Sequence, residues 1–198
     1  MSSPNNDSSD DLVPVETKGY VPGTKKTLDE YKNLDSNDES LNKWKESLGI
    51  SSAGGQETAP TKVDILSLGL EIEGRDDIII DLSDKSPAAL DEIKKKPIVI
   101  KEGVSYILKI RFKVLNDIVC GLKFLQSYKR HGLSTGTIDC MIGSYGPSDK
   151  EIEIKFPKEE APQGMLARGK YTANCKFIDD DKTTYLKFSW LMEIKKDW

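Results

Sequence analysis

The chain has 198 residues, 31% of them charged, and a formal net charge of −4. That length suits one sizeable domain with a tail, and no run approaches the eighteen or so apolar residues of a membrane-crossing helix. The basic residues are scattered and do not interleave with aromatics, which argues against a nucleic-acid surface.

The first stretch, MSSPNNDSSDDLVP, is polar and acidic. It has neither the basic start and apolar core of a secretory signal nor an Arg-rich transit pattern, and no lipidation motif marks either end of the sequence. The expectation is a protein with no lipid of its own. Residues 1–60 hold eleven acidic and six basic side chains, a net of −5; residues 61–198 hold 22 and 23, a net of +1. A segment so polar buries too little apolar surface to offset its ordering entropy. Residues 1–60 therefore read as an arm with a disordered start, a helical hairpin over about 27–48, and a linker over 51–60.

The first helix opens at Thr27, with Glu30 at the spacing of a capping box. Leu28, Tyr31 and Leu34 share its face. The second opens near Ser36 or Asn37, with Ser36 and Glu39 forming another capping box. Leu41, Trp44 and Leu48 make one apolar stripe, and Gly49 follows as terminator. The run SSAGGQETAP is the flexible linker. So short a hairpin is marginal alone and needs a surface, either its own β domain or a partner. Its charge imbalance and linker favour the partner.

From residue 61 the period changes to two. Tyr106, Leu108, Ile110, Phe112 and Val114 alternate with Ile107, Lys109, Arg111 and Lys113, and a similar alternation runs from Tyr185 to Ile194. Further strands are predicted over Val63–Ile72, Ile78–Leu82, Ile98–Lys101, Ile118–Tyr128, Ile138–Gly143, Glu151–Phe156 and Gly169–Ile178. Turn residues separate them, as in Glu73–Asp76, Arg130–Gly132, Tyr145–Pro147 and Asp179–Asp181. Ala88–Lys95 reads as a short helical turn bounded by Pro87 and Pro97. Many short strands with little helix define an all-β sandwich or barrel over 61–198.

Catalytic and metal chemistry find little purchase. Cys120, Cys140 and Cys175 lie too far apart for a zinc pattern and read as buried free thiols in a reducing compartment. His131, the single histidine, sits in a basic turn and reads as a solvated surface group. Gly143–Gly146 is neither a phosphate loop nor a nucleophile elbow. Asp179–Asp181 and Glu159–Glu160 read first as solvated loops, without the spacing of an EF-hand. No catalytic residue, metal or cofactor is expected, and the function is binding.

Particular strings sharpen this. KEGVSYILKIRFKV (101–114), GSYGP (143–147), EEAPQGMLARGKY (159–171), DDDKT (179–183), IKKDW (194–198) and LDSNDESLNKWKESLG (34–49) closely resemble the Rho GDP-dissociation inhibitor family. The resemblance runs from about Tyr20 to Trp198; the extreme N-terminus and the loop near Glu73–Asp77 look unlike the family. It implies an immunoglobulin-like sandwich behind a regulatory arm. It also implies a cytoplasmic monomer that binds one GDP-bound, prenylated Rho-family small GTPase, with only transient membrane contact. The arm would block the switch regions. A pocket between the sheets would take the GTPase's geranylgeranyl group and so extract it from membranes.

Carried over position by position, the resemblance places Leu68, Ile98, Tyr106, Ile118, Leu166, Phe188 and Trp190 in the lipid pocket. Ile98 stands where relatives carry a bulkier aromatic, and Phe188 where they often carry tryptophan. Asp38 and Asp181 match acidic contacts to the GTPase. Glu159 and Glu160 lie where the basic segment before the prenylated cysteine would pass. Tyr20, Leu41, Trp44 and Leu48 would supply apolar contact from the arm.

Overall fold

In strand β4 (Ser105–Val114), every second side chain from Tyr106 to Val114 is buried and those between are half-buried, as a strand facing a core on one side requires. The computed structural model describes residues 12–14, 19, 30, 33, 37–47 and 62–198, and gives Trp44 and Ser47 only a place in a helix. Beside β4, the first sheet contains β1 (Val63–Ile72), β2 (Ile78–Asp81) and β7 (Ser148–Glu160). Its order is β2-β1-β4-β7, antiparallel throughout. The second sheet is formed by β3 (Ile98–Lys101), β5 (Val119–Arg130), β6 (Leu133–Tyr145), β8 (Gly169–Ile178) and β9 (Thr184–Lys195). Its order is β3-β9-β8-β5-β6, with β3 parallel to β9 and the other pairs antiparallel.

The two inner faces form one apolar cluster, so the protein is the all-β sandwich expected. Phe124 of β5 stacks on Phe156 of β7 with ring centroids 5.0 Å apart, tying the sheets together, and meets Phe177 of β8 in its own sheet at a tilt, 4.9 Å away. Trp190, Phe112, Phe124 and Phe177 are the largest fully buried side chains.

The predicted strands are present, and several end at other residues than expected. Ile118 falls just before β5. β6 begins at Leu133, because His131 and Gly132 both have positive φ (49° and 80°) and make the two-residue turn that suits a twisted hairpin. β7 continues through Pro157, since it is an edge strand. The register slips there between Ile107 and Lys109 of β4, and a bulge at an edge tolerates the missing donor.

Helix α1 (Glu39–Ser47) starts later than expected. Asp38 caps it, its Oδ1 accepting from the amides of Ser40 (2.8 Å) and Leu41 (3.1 Å). Aspartate caps as well as serine, and Glu39 then sits in the positive first turn. Of the helix expected from Thr27, only Glu30 and Asn33 are described, and both are helical. Tyr20 and Leu48 lie outside the described residues.

The expected turn near Ala88 is instead a nine-residue helix, α2 (Pro87–Lys95). Proline at the first helical position opens a helix rather than breaking it, and Ser86 caps it through the Ala89 amide at 3.3 Å. Pro97 lies just beyond its end. Leu90 and Ile93 pack against the core.

Candidate functional site

β2 and β3 are the outer strands of their sheets on the side that α2 crosses, and no ladder joins them. A cleft of about 420 Å³ opens at this seam, within the roughly 300–1,000 Å³ of small-molecule sites. Ile78, Ile79, Ile80, Ile93, Ile98 and Trp190 supply its apolar lining, with Asp81, Glu92 and Lys96 completing it. Ile79 is 57% exposed, a large apolar side chain left open to solvent.

Trp190 forms the floor and is 1% exposed. Its indole N–H donates to Gln126 Oε1 at 3.4 Å, and the Cys175 thiol donates to the same oxygen at 3.0 Å. Burial pushes the Cys175 thiol far above its ordinary pKa, so it stays neutral. Cys120 and Cys140 are half-buried rather than buried, and burial raises their pKa too.

At one end of the sandwich, the Tyr106 hydroxyl donates to Glu159 Oε2 at 3.0 Å and lies 3.2 Å from the Tyr128 hydroxyl. Burial pushes both phenols well above their usual range. Glu159 and Glu160 are the last residues of β7, not a loop; Glu159 is half-buried and Glu160 exposed. The segment 161–168 follows. It is tied down by Glu102, which accepts from the Arg168 guanidinium at 2.7 and 3.0 Å and from the Gly164 amide at 2.9 Å. Arg130 also donates to the carbonyls of Leu166 and Arg168.

The Arg168 hydrogen bond holds the Glu102 carboxyl below its ordinary value near 4.5. Its contribution is therefore full above that value and is lost as pH falls through the lowered one. Glu102→Gln should free residues 161–168 at neutral pH, read as faster amide hydrogen exchange there. In the native protein, the same loosening should appear only on acidification below the usual carboxylate range.

At the opposite end, Lys62 Nζ lies 3.1 Å from Asp117 Oδ2 and 3.9 Å from Asp181 Oδ2, and donates to the Ile118 carbonyl at 3.3 Å. The three aspartates of the turn are not equivalent. Asp179 is buried and accepts from the Thr183 amide (2.8 Å) and the Tyr185 hydroxyl (2.6 Å). The Asp180 carboxylate fills the space beside Gly121, whose φ of +60° and lack of a Cβ allow the approach. Asp181 is the outward one, its side chain 34% exposed.

The structure brings Ile98 and Trp190 together in the cleft. Leu68, Tyr106 and Phe188 are buried in the core behind it, where the sheets close on one another. Ile118 is buried outside that cluster. Leu166 lies apart from the cleft, 90% exposed beside Met165 on the 161–168 segment, where its carbonyl accepts from Arg130. In the arm, Leu41 is half-buried on α1 and Asp38 is exposed at its cap. Ile78–Ile80, Ile93, Gln126 and Lys62 were missed by sequence reasoning. The triple isoleucine marks a strand, but nothing in it marks an edge beside an open seam.

Two sheets with an apolar cleft along one open edge and carboxylates displayed at both ends define a binding sandwich. The chain belongs to the Rho GDP-dissociation inhibitor family: the family model described as RHO protein GDP dissociation inhibitor matches residues 5–197. It is similar to the Rho GDP-dissociation inhibitor of Saccharomyces cerevisiae, 44% identical over 184 residues, covering 89% of this chain and 90% of the relative. The Rho GDP-dissociation inhibitor of Schizosaccharomyces pombe is 41% identical over 177 residues, covering 89% and 85%. Human Rho GDP-dissociation inhibitor 1 is 41% identical over 181 residues, covering 90% and 86%. These relatives are named as inhibitors of dissociation, and the chain is a regulatory binding protein rather than an enzyme. No helix among the described residues is long and apolar enough to cross a membrane.

Proposed function

We propose that this protein inhibits GDP dissociation from Rho-family small GTPases and carries their prenylated forms through the cytoplasm as a one-to-one complex. The observation that carries this reading is the apolar cleft at the β2–β3 seam in a chain of this family. An isoprenoid of about twenty carbons gains roughly 0.8 kcal/mol for each CH₂ it buries. Only a comparably dry site competes with a bilayer for it. The lipid enters at Ile98 and Trp190 and spreads the sheets, displacing the packing around Leu68, Tyr106 and Phe188. Ile118 and Leu166 join the lining only if their segments move inward with the lipid bound. Glu159 and Glu160 then meet the basic segment that precedes the lipid, and Asp181 meets the GTPase body.

Residues 1–60 act as the inhibitory arm, presenting Tyr20, Leu41, Trp44 and Leu48 to the GTPase, while residues 61–198 hold the lipid. Asp38 has two tasks in this scheme. Its Oδ1 caps α1, and its charge pairs with the partner. Asp38→Ser keeps a good cap and removes the charge. It is expected to weaken inhibition of nucleotide release about tenfold while the helix content of the arm, followed by circular dichroism, is unchanged; about 1.4 kcal/mol corresponds to that factor.

The deciding experiment compares prenylated and unprenylated GTPase, each GDP-loaded, in binding and in release from vesicles. Much tighter binding of the prenylated form, with its recovery in the soluble fraction, is expected. Equal affinity for the two forms would sink the lipid-capture reading. Deletion of residues 1–60 should abolish inhibition of exchange and spare lipid capture; loss of both would contradict the division between arm and sandwich.

A further inference from the structure

The outer face of the second sheet carries a feature that the lipid cleft does not use. Alternation in β5 sends Phe124 and Gln126 inward and Leu125 and Ser127 outward, and in β8 it sends Lys176 and Ile178 outward. Leu125 pairs with Lys176, and Lys123 with Ile178. An outward sheet face is ordinarily wet and polar, yet Leu125 and Ile178 are both buried. What closes over them is Leu12, itself only 5% exposed, which forms a separate apolar cluster with these two residues. Lys176 Nζ donates to the Leu12 carbonyl at 3.1 Å, fixing the segment by its backbone as well. The neighbouring Val13 is 73% exposed, so Leu12 is the anchor.

Charge fits the same arrangement. The residues just before the anchor read DSSDD, with acids at 7, 10 and 11. The face presents Lys123, Lys176 and Lys187 at adjacent register positions, Lys176 standing between Leu125 and Lys187, against one acid, Asp139, on the other side of Leu125. An acidic segment ending in one leucine is complementary to a basic face with one apolar socket.

We propose that the outer face of β5 and β8 is a docking site for an acidic peptide with a leucine anchor, and that its occupant is the chain's own N-terminal segment at Leu12. The socket adjoins the other attachment of the arm, since Ile178 immediately precedes the aspartate turn that Lys62 reaches. Residues 15–61 are thus joined to the sandwich at both ends, which raises their effective concentration near that end. The site lies on the opposite face of the sheet from the lipid cleft, and its test needs no GTPase.

The test uses the full chain with isotopically labelled Leu and Ile methyl groups, compared with Leu12→Asp and with a chain lacking residues 1–14. The Leu125 and Ile178 methyl resonances are expected to move in both variants, to the same positions, while those of Leu68 and Leu133 stay in place. Salt should shift the native Leu125 and Ile178 signals part of the way toward the variant positions. If the Leu125 and Ile178 resonances of Leu12→Asp coincide with those of the native chain, the proposal is overturned.

Discussion

Ile98→Asp is expected to lower affinity for a prenylated GTPase at least about a hundredfold, while affinity for the unprenylated form stays unchanged; that factor corresponds to about 2.7 kcal/mol. Ile98 lines the cleft on the parallel edge strand β3 and is half-buried. In the free protein a carboxylate there reaches water, so the sandwich should fold. With an isoprenoid in the cleft, the same carboxylate is cut off from water against hydrocarbon, at a cost of several kcal/mol. Lys96 lines the same cleft and would partly offset the charge, so Ile98→Asn, which is polar but carries no charge, is the companion variant. Titration of both GTPase forms separates the outcomes: an equal loss for the two forms, or no loss, removes Ile98 from the lipid path. Ile118→Asp should behave differently. Ile118 is buried away from the cleft, and a charge there should first lower the stability of the sandwich.

The contrast between Ile98 and Ile118 shows what the sequence conveys and what it does not. Period-two alternation determines which side chains of β4 and β9 face inward, because the pleat leaves no other choice. That much was legible, and so was the sandwich. Alternation does not say where two inner faces remain apart. The seam depends on β2 and β3 both being short outer strands and on α2 crossing between them. The helix is longer than a sequence bounded by prolines implies, because Pro87 is its first residue rather than its limit. The resemblance supplied positions for the site but not the state of the molecule. Leu68, Tyr106 and Phe188 are closed off in the core, and Leu166 is exposed to solvent on a segment that Arg130 ties to the end of β5. Those contacts join residues thirty-six and thirty-eight positions apart, and no local pattern encodes them. Leu12 was invisible for a related reason: one leucine in an acidic run has no periodicity, and its socket exists only once β5 and β8 pair.

Trp190→Ala should cost about 3–5 kcal/mol of sandwich stability, the range for removing a buried aromatic, read as a lower urea midpoint with unchanged slope. Two effects add. The indole is the largest fully buried side chain and separates the seam from the core, so its loss extends the cleft inward. It also donates to Gln126 Oε1. The Gln126 oxygen keeps the Cys175 thiol as a donor, so losing the indole bond adds only about 1 kcal/mol. Trp190→Phe retains most of the volume and loses only the donor, so it should fall between the native chain and Trp190→Ala. If alanine costs less than about 1 kcal/mol, the floor of the cleft is not packed as described. If phenylalanine costs as much as alanine, the hydrogen bond rather than the ring holds the floor in place. The expected order, with alanine well below phenylalanine, means the ring is the barrier between an open seam and a closed core. A lipid seeking depth in this sandwich must then move that ring first.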